Sequence, residues 1–492
     1  MLNSKAKQPP LGLSILPIAS LLIFLACVVI FAGASAISDY SPYALLASAI
    51  LSVVLACCCG SLCRRGIIVG FRRSAAQILP AVPMLICIAM VSTTWMLSGV
   101  VPTLIDYGLA LLSPVFFLVL TCVVCGVISV LTGSSWSTIA TIGVAFMGIG
   151  TVMGFNPGLV AGAIISGAYF GDKVSPLSDT TVVASSTCGV DLFEHIRYLA
   201  LTAAPAMAVA LLVFFVAGLH LTPESAIESG EIRQLLADNF NISPYTLVIP
   251  LITAILIALR VRTIITLFVS SMLGLVGIFI FQPELAARLL GEASGLHTMI
   301  LGLLWGETSF NTGVETFDSL VTTSGILGML PTVRLVLCAM LFGTAMIGTG
   351  MLSRLTHAIT RHIRRRFTLV GSTVAGGLFL NSCTADQYLS IIIGGNMFRN
   401  AYRRFGLEPR LLSRSLEDSV SVTSVLIPWN SCGVTQSAVL GVATLSYLPY
   451  CVFNYLSPLL TLLFALTGIG IKQAAHAIGN NVPAFVRIGR QN

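Results

Sequence analysis

The segment FGDKVSPLSDTT at residues 170–181 brings groups that can bind a small cation into a mostly apolar chain. Asp172 and Asp179 supply carboxylates, and Lys173 supplies an ammonium group. Pro176 interrupts a helix and frees backbone carbonyls. The hydroxyls belong to Ser175, Ser178, Thr180 and Thr181. Alkali cations are held by oxygen atoms that replace their water, so we expect a sodium site here, with Lys173 neutralising one of the two carboxylates while the cation is absent.

A second segment, SLEDSVSVTSVLIPWNSCG at 415–433, carries a similar set of groups. Its DSVSVTS (418–424) shares the pattern D-x-V-S-x-x-S with DKVSPLS (172–178). The residues that we expect to contribute to the ion site or its pathway are Glu417, Asp418, Ser421, Ser424 and Asn430. The alternative is a surface position, in which Asp418 caps a helix beside Arg410 and Arg414.

Two further polar segments, LTGSSWSTIAT (131–141) and FLNSCTADQYLS (379–390), precede these breaks. They resemble the tips of helical hairpins or broken helices, which line cavities in transporters. Helix N-termini near Ser134 and Ser382 would suit a bound carboxylate. The side chains that we expect at the same midplane cavity are Ser134, Ser135, Asn381, Ser382 and Asp386.

A string of polar residues also runs through WGETSFNTGVETFDSL at 305–320. Glu307, Asn311, Glu315 and Asp318 recur every three or four residues and would share one face of a helix lining an aqueous pathway. An exposed loop explains the same residues equally well. His195 lies beside basic and loop residues, and we expect it at the surface.

The elements that must position these groups are membrane helices. Of the 492 residues, 56% are hydrophobic and only 9% are charged, whereas soluble domains carry about 25% charged residues. Apolar runs of bilayer-spanning length predict an all-α polytopic membrane protein with roughly eleven to fourteen membrane segments, some of them re-entrant.

Charge and motifs argue against other classes of function. The net charge of +7 comes mainly from short loops flanking apolar runs, which is typical of cytoplasmic loops and not of a nucleic-acid surface. The 13 cysteines lack paired metal-ligand spacing. Without a Gly-x-Ser-x-Gly elbow or a phosphate loop, we do not expect an enzyme.

Matching strings occur in the same order in both halves of the chain. Besides the aspartate pattern, Ser-Pro-Tyr occurs at 41–43 and 243–245, and Gly-Ser-Ser at 133–135 aligns with Asn-Ser-Cys at 381–383. This order predicts two structural repeats, which we expect to be inverted, as in many secondary transporters. The predicted regions are an N-terminal transmembrane helix (1–39), a first repeat (40–220), a linker (221–242), a second repeat (243–470) and a C-terminal tail (471–492).

Longer strings give the chain a family resemblance. GSSWSTIATIGVAFMGIG (133–150), GAIISGAYFGDKVSPLSDTT (162–181), DQYLSIIIGGNMF (386–398) and LIPWNSCG (426–433) resemble the NhaC family of sodium/proton antiporters. The family usually has an asparagine after SDTT, where this chain has Val182 and Val183, so ion identity or stoichiometry can differ.

The resemblance implies an exchanger with inverted repeats, paired broken helices and a homodimeric assembly in a prokaryotic plasma membrane. Sodium and protons would be the transported ions, competing for one carboxylate, with no resident cofactor. Some relatives exchange organic acids, so sodium-coupled transport of a small organic anion or amino acid is the alternative. A channel is a third class of function, and it explains paired helix breaks less well.

Overall fold

The computed structural model describes residues 9–33, 36–60, 67–68, 71–72, 75–76, 81–220, 225–259, 261–361, 363 and 365–471. The predicted tail from 472 onward and the Arg64–Arg65 pair lie outside these residues. Within them the fold is helical, and an isolated antiparallel bridge joins Thr308 and Thr323. The all-α prediction is therefore confirmed.

The first half contains nine helices in the described residues. They are α1 (Leu11–Ala32), α2 (Ile37–Cys58), α3 (Ala81–Leu97), α4 (Val100–Leu111), α5 (Pro114–Thr132), α6 (Ser135–Val152), α7 (Pro157–Val174), α8 (Asp179–Cys188) and α9 (Leu192–Leu219). One turn of α6, Ile139–Gly143, has π-helical hydrogen bonding.

The remaining described helices follow from residue 225. They are α10 (Ser225–Asn239), α11 (Val248–Ala258), α12 (Thr263–Phe281), α13 (Pro283–Glu292), α14 (Leu296–Trp305), α15 (Glu315–Val321), α16 (Leu330–Gly348), α17 (Met351–Arg361), α18 (Arg366–Thr384), α19 (Gln387–Arg404), α20 (Pro409–Leu416), α21 (Ser431–Leu440) and α22 (Val452–Thr467). A π-helical turn, Glu417–Ser421, extends α20, and short helical turns occupy Pro244–Leu247, Gly325–Gly328, Ser424–Leu426, Thr444–Tyr447 and Leu448–Tyr450.

Seven helices of the described chain are long and apolar enough to cross a membrane, or ten if each of three bent pairs forms one span. The bends measure 65°, 84° and 57°. These are fewer spans than the eleven to fourteen that hydropathy predicts, because several interrupted segments form helices too short or too polar to count as full spans. Integral membrane structure and broken helices are confirmed, whereas inversion of the repeats stays a prediction.

Two hairpins lie in corresponding places of the two halves. Between α5 and α6 the chain reverses at Gly133, and between α18 and α19 it reverses at Ala385. Both residues have left-handed backbone angles, φ 66° and φ 55°. Ser134 and Asp386 then cap the returning helices. The sequence alignment pairs Gly133 with Asn381. The second reversal therefore lies at 385, four residues beyond the expected position.

A broken helix follows each hairpin. Helix α7 ends at Val174, Ser175 is extended, and Ser178 caps α8. Helix α20 continues through the π-helical turn, and Asn430 caps α21 after an irregular segment. Pro176 and Pro428 lie in the two irregular segments, as expected of residues that cannot continue a helix.

Small residues bring α5 and α7 into close contact. A β-carbon on Gly167 would lie 2.1 Å from the carbonyl oxygen of Cys122, and one on Gly171 would lie 2.2 Å from the carbonyl oxygen of Gly126. Glycines spaced in this way let membrane helices pack backbone to backbone. The packing fixes Asp172, near the end of α7, against the hairpin tip.

The described part of the predicted linker, from residue 225, packs on the first core. Helix α10 contributes Ile232 and Leu236 to the same apolar cluster as residues of α5 and α7. Arg233 donates to Asp106 of α4 over 2.7 Å.

Candidate functional site

The two hairpin tips and the first helix break meet around one cavity of about 690 Å³. Its polar and charged lining residues are Thr132, Ser134, Ser137, Asp172, Asp179, Thr180, Arg262, Thr263, Thr266, Asp386, Gln387, Tyr388 and Ser431. The lining comes from both halves of the chain. Of the five side chains expected at one midplane cavity, Ser134 and Asp386 line it, whereas Ser135, Asn381 and Ser382 are not among its lining residues.

Asp172 lies between the break and the first hairpin tip. Its Oδ2 accepts hydrogen bonds from the backbone N–H of Ser135 (3.2 Å) and from the Ser135 hydroxyl (2.7 Å). Ser135 is the first residue of α6, so a helix N-terminus faces this carboxylate and favours its negative charge. The Ser178 hydroxyl, at the start of α8, also interacts with this carboxylate.

Asp179 and Asp386 complete the acidic lining. Asp179 begins α8 and is exposed at the cavity. Asp386 is buried, and its Oδ1 accepts the N–H of Leu389 over 2.8 Å as the cap of α19. Three carboxylates therefore line the cavity, and among the lining residues Arg262 is the one permanent cation.

Lys173 does not neutralise Asp172 or Asp179, contrary to expectation. Adjacent residues of a helix point about 100° apart, so Lys173 faces away from the cavity toward Asp418, with which it forms a salt bridge. Ser457 donates to Asp418 Oδ1 over 2.7 Å, and Thr202 donates to Oδ2 over 3.0 Å. Thr461 also donates to Oδ2.

Asp418 and Glu417 are fully buried, so the surface alternative for this segment is wrong. Asp418 is absent from the cavity lining, and its oxygens are occupied by Lys173 and the three hydroxyls. Glu417 accepts hydrogen bonds from Ser421 (2.5 Å) and from Thr181 of α8 (3.4 Å). These contacts join the π-helical turn to the first break.

Other predicted site residues hold the breaks and hairpins together. Ser175 donates to the carbonyl of Val130, Ser178 pairs with Thr180, and Ser424 donates to Gln387. Asn430 donates to the carbonyl of Asn381, whose own amide donates to the carbonyl of Val420 over 2.7 Å.

Ser382 does not stand at a helix N-terminus. It lies in the last turn of α18, where its hydroxyl donates to the carbonyl of Leu378. The hairpin reverses later, and the N-terminus that reaches the cavity belongs to α19, capped by Asp386.

The polar string at 305–320 does not form one helix. Residues 306–314 are non-helical, with Glu307 and Asn311 exposed, and Glu315 begins the short α15. The expectation of one helix through all four residues is therefore wrong: Glu307 and Asn311 lie in an exposed loop, and Glu315 and Asp318 lie in α15. The backbone N–H and the hydroxyl of Thr312 donate to Asp318, and these hydrogen bonds hold the pKa of that carboxyl below its ordinary value.

Sequence reasoning missed several buried polar residues. His195 is fully buried and not at the surface, sharing a 2.8 Å hydrogen bond with Ser413. Arg414 is also fully buried. The spacing of Arg410, Arg414 and Asp418 along one helix was a usable signal, whereas single hydroxyls such as Thr202 are too common in membrane helices to stand out.

Comparison with known proteins gives a consistent family. The Na+/H+ antiporter family matches residues 4–218 and 167–469. The chain is 37% identical over 384 residues to the Na(+)/H(+) antiporter NhaC of Alkalihalophilus pseudofirmus, covering 78% of this chain and 81% of that protein.

Two other relatives have names that include organic substrates. The malate-2H(+)/Na(+)-lactate antiporter of Bacillus subtilis is 32% identical over 79% of this chain and 81% of its own length. The arginine/ornithine antiporter ArcD of Halobacterium salinarum is 32% identical over 94% of this chain and 93% of its own length. With the family match over most of its length and an NhaC relative of this similarity, the chain belongs to the Na+/H+ antiporter family.

Proposed function

We propose that this protein exchanges sodium for protons across the membrane at the cavity between the two hairpin tips. The observation that carries the proposal is the meeting of Asp172, Asp179 and Asp386 in one cavity built from both halves of the chain. Sodium prefers carboxylate, hydroxyl and carbonyl oxygens, and the hydroxyls of Ser134 and Thr180 line the same cavity.

Sodium and protons compete for the carboxylates in this mechanism. A sodium ion bound by Asp172 and Asp179 displaces their protons, and protonation displaces sodium. The Ser135 hydrogen bonds hold Asp172 at the hairpin tip, where it lines the cavity. Asp418 is not a sodium ligand in this proposal, because its oxygens already hold Lys173 and hydroxyls. We further propose a prokaryotic plasma membrane and a homodimer as the setting.

The test is proton movement in proteoliposomes that contain a pH-sensitive dye. Added sodium should drive proton movement with wild-type protein, and Asp172→Asn or Asp179→Asn should abolish it while the variants still purify as folded protein. Glu307→Gln is the matched control, because Glu307 is an exposed carboxylate outside the cavity. Full activity of both aspartate variants would refute the site.

The second candidate is sodium-coupled exchange of an organic anion or amino acid. Two relatives carry such substrates in their names, and a cavity of about 690 Å³ falls within the size of small-molecule sites. Arg262 provides one cation at the cavity for a substrate carboxylate. Labelled malate, lactate, arginine and ornithine should each be tested for uptake, and this candidate requires a sodium response that depends on one of them.

A further inference from the structure

A ladder of polar contacts joins α9 to α20 and to the π-helical turn that follows it. Its four rungs are Glu194–Arg410 (2.9 Å between Oε1 and Nη1), His195–Ser413 (2.8 Å between Nδ1 and Oγ), Tyr198–Arg414 (4.4 Å from ring centre to guanidinium carbon) and Thr202–Asp418 (3.0 Å between Oγ1 and Oδ2). The residue numbers rise together on both sides, so the two helices run in the same direction and the rungs lie in sequence.

The ladder leads from the surface to the buried ion pair. The Glu194 side chain is 52% exposed, whereas His195, Arg414 and Asp418 are fully buried. Eight residues separate the first and last rungs on α9, which corresponds to about 12 Å along the helix. The last rung ends at Asp418, the partner of Lys173.

Two side chains in the middle of the ladder have unpaired polar atoms. Nε2 of His195 and all three guanidinium nitrogens of Arg414 have no hydrogen-bond partner in the described part of the chain. The rings of Tyr198 and Phe464 face the guanidinium but accept no conventional hydrogen bond from it. Buried polar groups in folded proteins are nearly always satisfied by protein or by ordered water. These atoms therefore indicate water along the ladder.

His195 is the group in the ladder that can accept a proton at one ring nitrogen and release one from the other. Thr202, about two turns further along α9, donates to Asp418, so one helix connects His195 to the buried pair. The other ionisable groups on the elements around it are Glu194, Arg197 and Tyr198 of α9, Arg410 and Arg414 of α20, Glu417 and Asp418 of the π-helical turn, and Asp179 and Cys188 of α8. Arginine stays charged and cannot serve as the carrier.

We propose that His195 carries protons between the Glu194–Arg410 surface and the buried Lys173–Asp418 pair, along a route separate from the sodium cavity. The neutral imidazole accepts a proton arriving from the surface and becomes an imidazolium. It then gives one proton to the Asp418 carboxylate through water and becomes neutral again. Neutral Asp418 no longer holds the Lys173 ammonium by charge, so the ion pair opens.

This route couples protons to the sodium cavity through one helix. Lys173 follows Asp172 directly in α7, with the first side chain in the buried pair and the second in the cavity. Opening of the ion pair therefore frees the end of α7 that carries the sodium-binding carboxylate. The inference rests on the proposed sodium/proton exchange and adds the residue that supplies protons to the buried pair.

The test compares His195→Gln with His220→Gln, an exposed histidine at the other end of the same helix. In proteoliposomes, H195Q should lower sodium-driven proton movement by about a hundredfold or more, which is the lower end of the usual contribution of a positioned acid–base group. Its sodium binding, measured with radioactive sodium, should match that of wild type, and its solvent deuterium isotope effect should rise because proton delivery then limits the rate. H220Q should match wild type in all three.

The outcomes separate the two proposals. Wild-type protein that moves no protons in response to sodium would contradict the exchange and, with it, the carrier. Wild-type exchange together with an unchanged H195Q would contradict the carrier alone. Reduced flux with an unchanged isotope effect would show a merely structural role and overturn the carrier. If H195Q does not fold, Ser413→Ala decides instead, because it keeps the imidazole and removes its 2.8 Å partner. The carrier then requires slower flux with a larger isotope effect, and wild-type behaviour overturns it.

Discussion

At the scale of single residues, two neighbouring side chains of α7 have different surroundings and different roles. Asp172 lines the cavity and meets the tip of the first hairpin, while Lys173 points into the buried core and pairs with Asp418. Removing one member of a buried ion pair destabilises a protein strongly, because the remaining charge is buried with neither water nor a counter-charge around it. The pair therefore constrains where the end of α7 can lie.

Replacing Lys173 with methionine should destabilise the protein strongly. Asp418 would keep its hydroxyl partners but lose its counter-charge, which costs about 3–5 kcal/mol for a buried pair. The double variant Lys173→Met with Asp418→Asn should recover part of that loss, because it buries no unpaired charge. Thermal unfolding of the purified single and double variants in detergent measures the coupling, and strictly additive effects would show that the pair does not act as a unit.

At the scale of elements, the site depends on helices that approach closely and on loops held by their own hydrogen bonds. Helices α5 and α7 touch through glycines, which places the first hairpin tip on the first break. A β-carbon on Gly133, whose φ is 66°, would lie 2.5 Å from the backbone of Leu177 in that break. The second break is held to the second hairpin by the side-chain hydrogen bonds of Asn381 and Asn430.

Gly167→Ala tests the contact between α5 and α7. The added methyl group would meet a backbone carbonyl at 2.1 Å, so the helices must separate, at a cost of about 1–3 kcal/mol. We expect a lower unfolding temperature and weaker sodium-dependent proton movement. Gly302→Ala in α14 is the control, because a β-carbon there has nothing within 4 Å. Equal stability of the two variants would refute the close packing.

Asp318 should stabilise the 306–324 segment in a pH-dependent way. Its pKa is lowered by the hydrogen bonds from Thr312, so its contribution is present above the ordinary carboxyl pKa of about 4 and is lost as pH falls through the lowered value. Asp318→Asn should therefore speed proteolysis of this segment at pH 7, with less difference from wild type in strong acid. Identical proteolysis at pH 7 would contradict this role.

At the scale of the whole molecule, polar groups from both halves converge on two adjacent centres. One is the cavity with its three carboxylates. The other is the buried network of Lys173, Asp418 and the contacts around them, which includes residues from α7, α9 and α22. Asp172 and Lys173 are consecutive residues of α7, so the two centres meet at one turn of this helix.

The sequence by itself determined the class and the family, and it singled out the three carboxylates that line the cavity, Asp172, Asp179 and Asp386. Low charge and long apolar runs require membrane helices, because a soluble chain would need far more polar surface. Proline and hydroxyl clusters inside such runs predicted the breaks that bear Asp172 and Asp179. The repeated D-x-V-S-x-x-S pattern correctly marked the ends of the two broken helices, since the same local chemistry stops a helix wherever it occurs.

Only the tertiary structure decided which charged side chains form ion pairs with each other. Lys173 and Asp418 are 245 residues apart, and helix rotation, not proximity in sequence, turned Lys173 away from Asp172. Burial of His195 and Arg414 likewise depends on how α9 packs on α20. The spacing of these basic residues does not predict their burial, because the same spacing also occurs at membrane surfaces. Side-chain pairing across helices is set by packing angles and depth, which composition and periodicity do not encode.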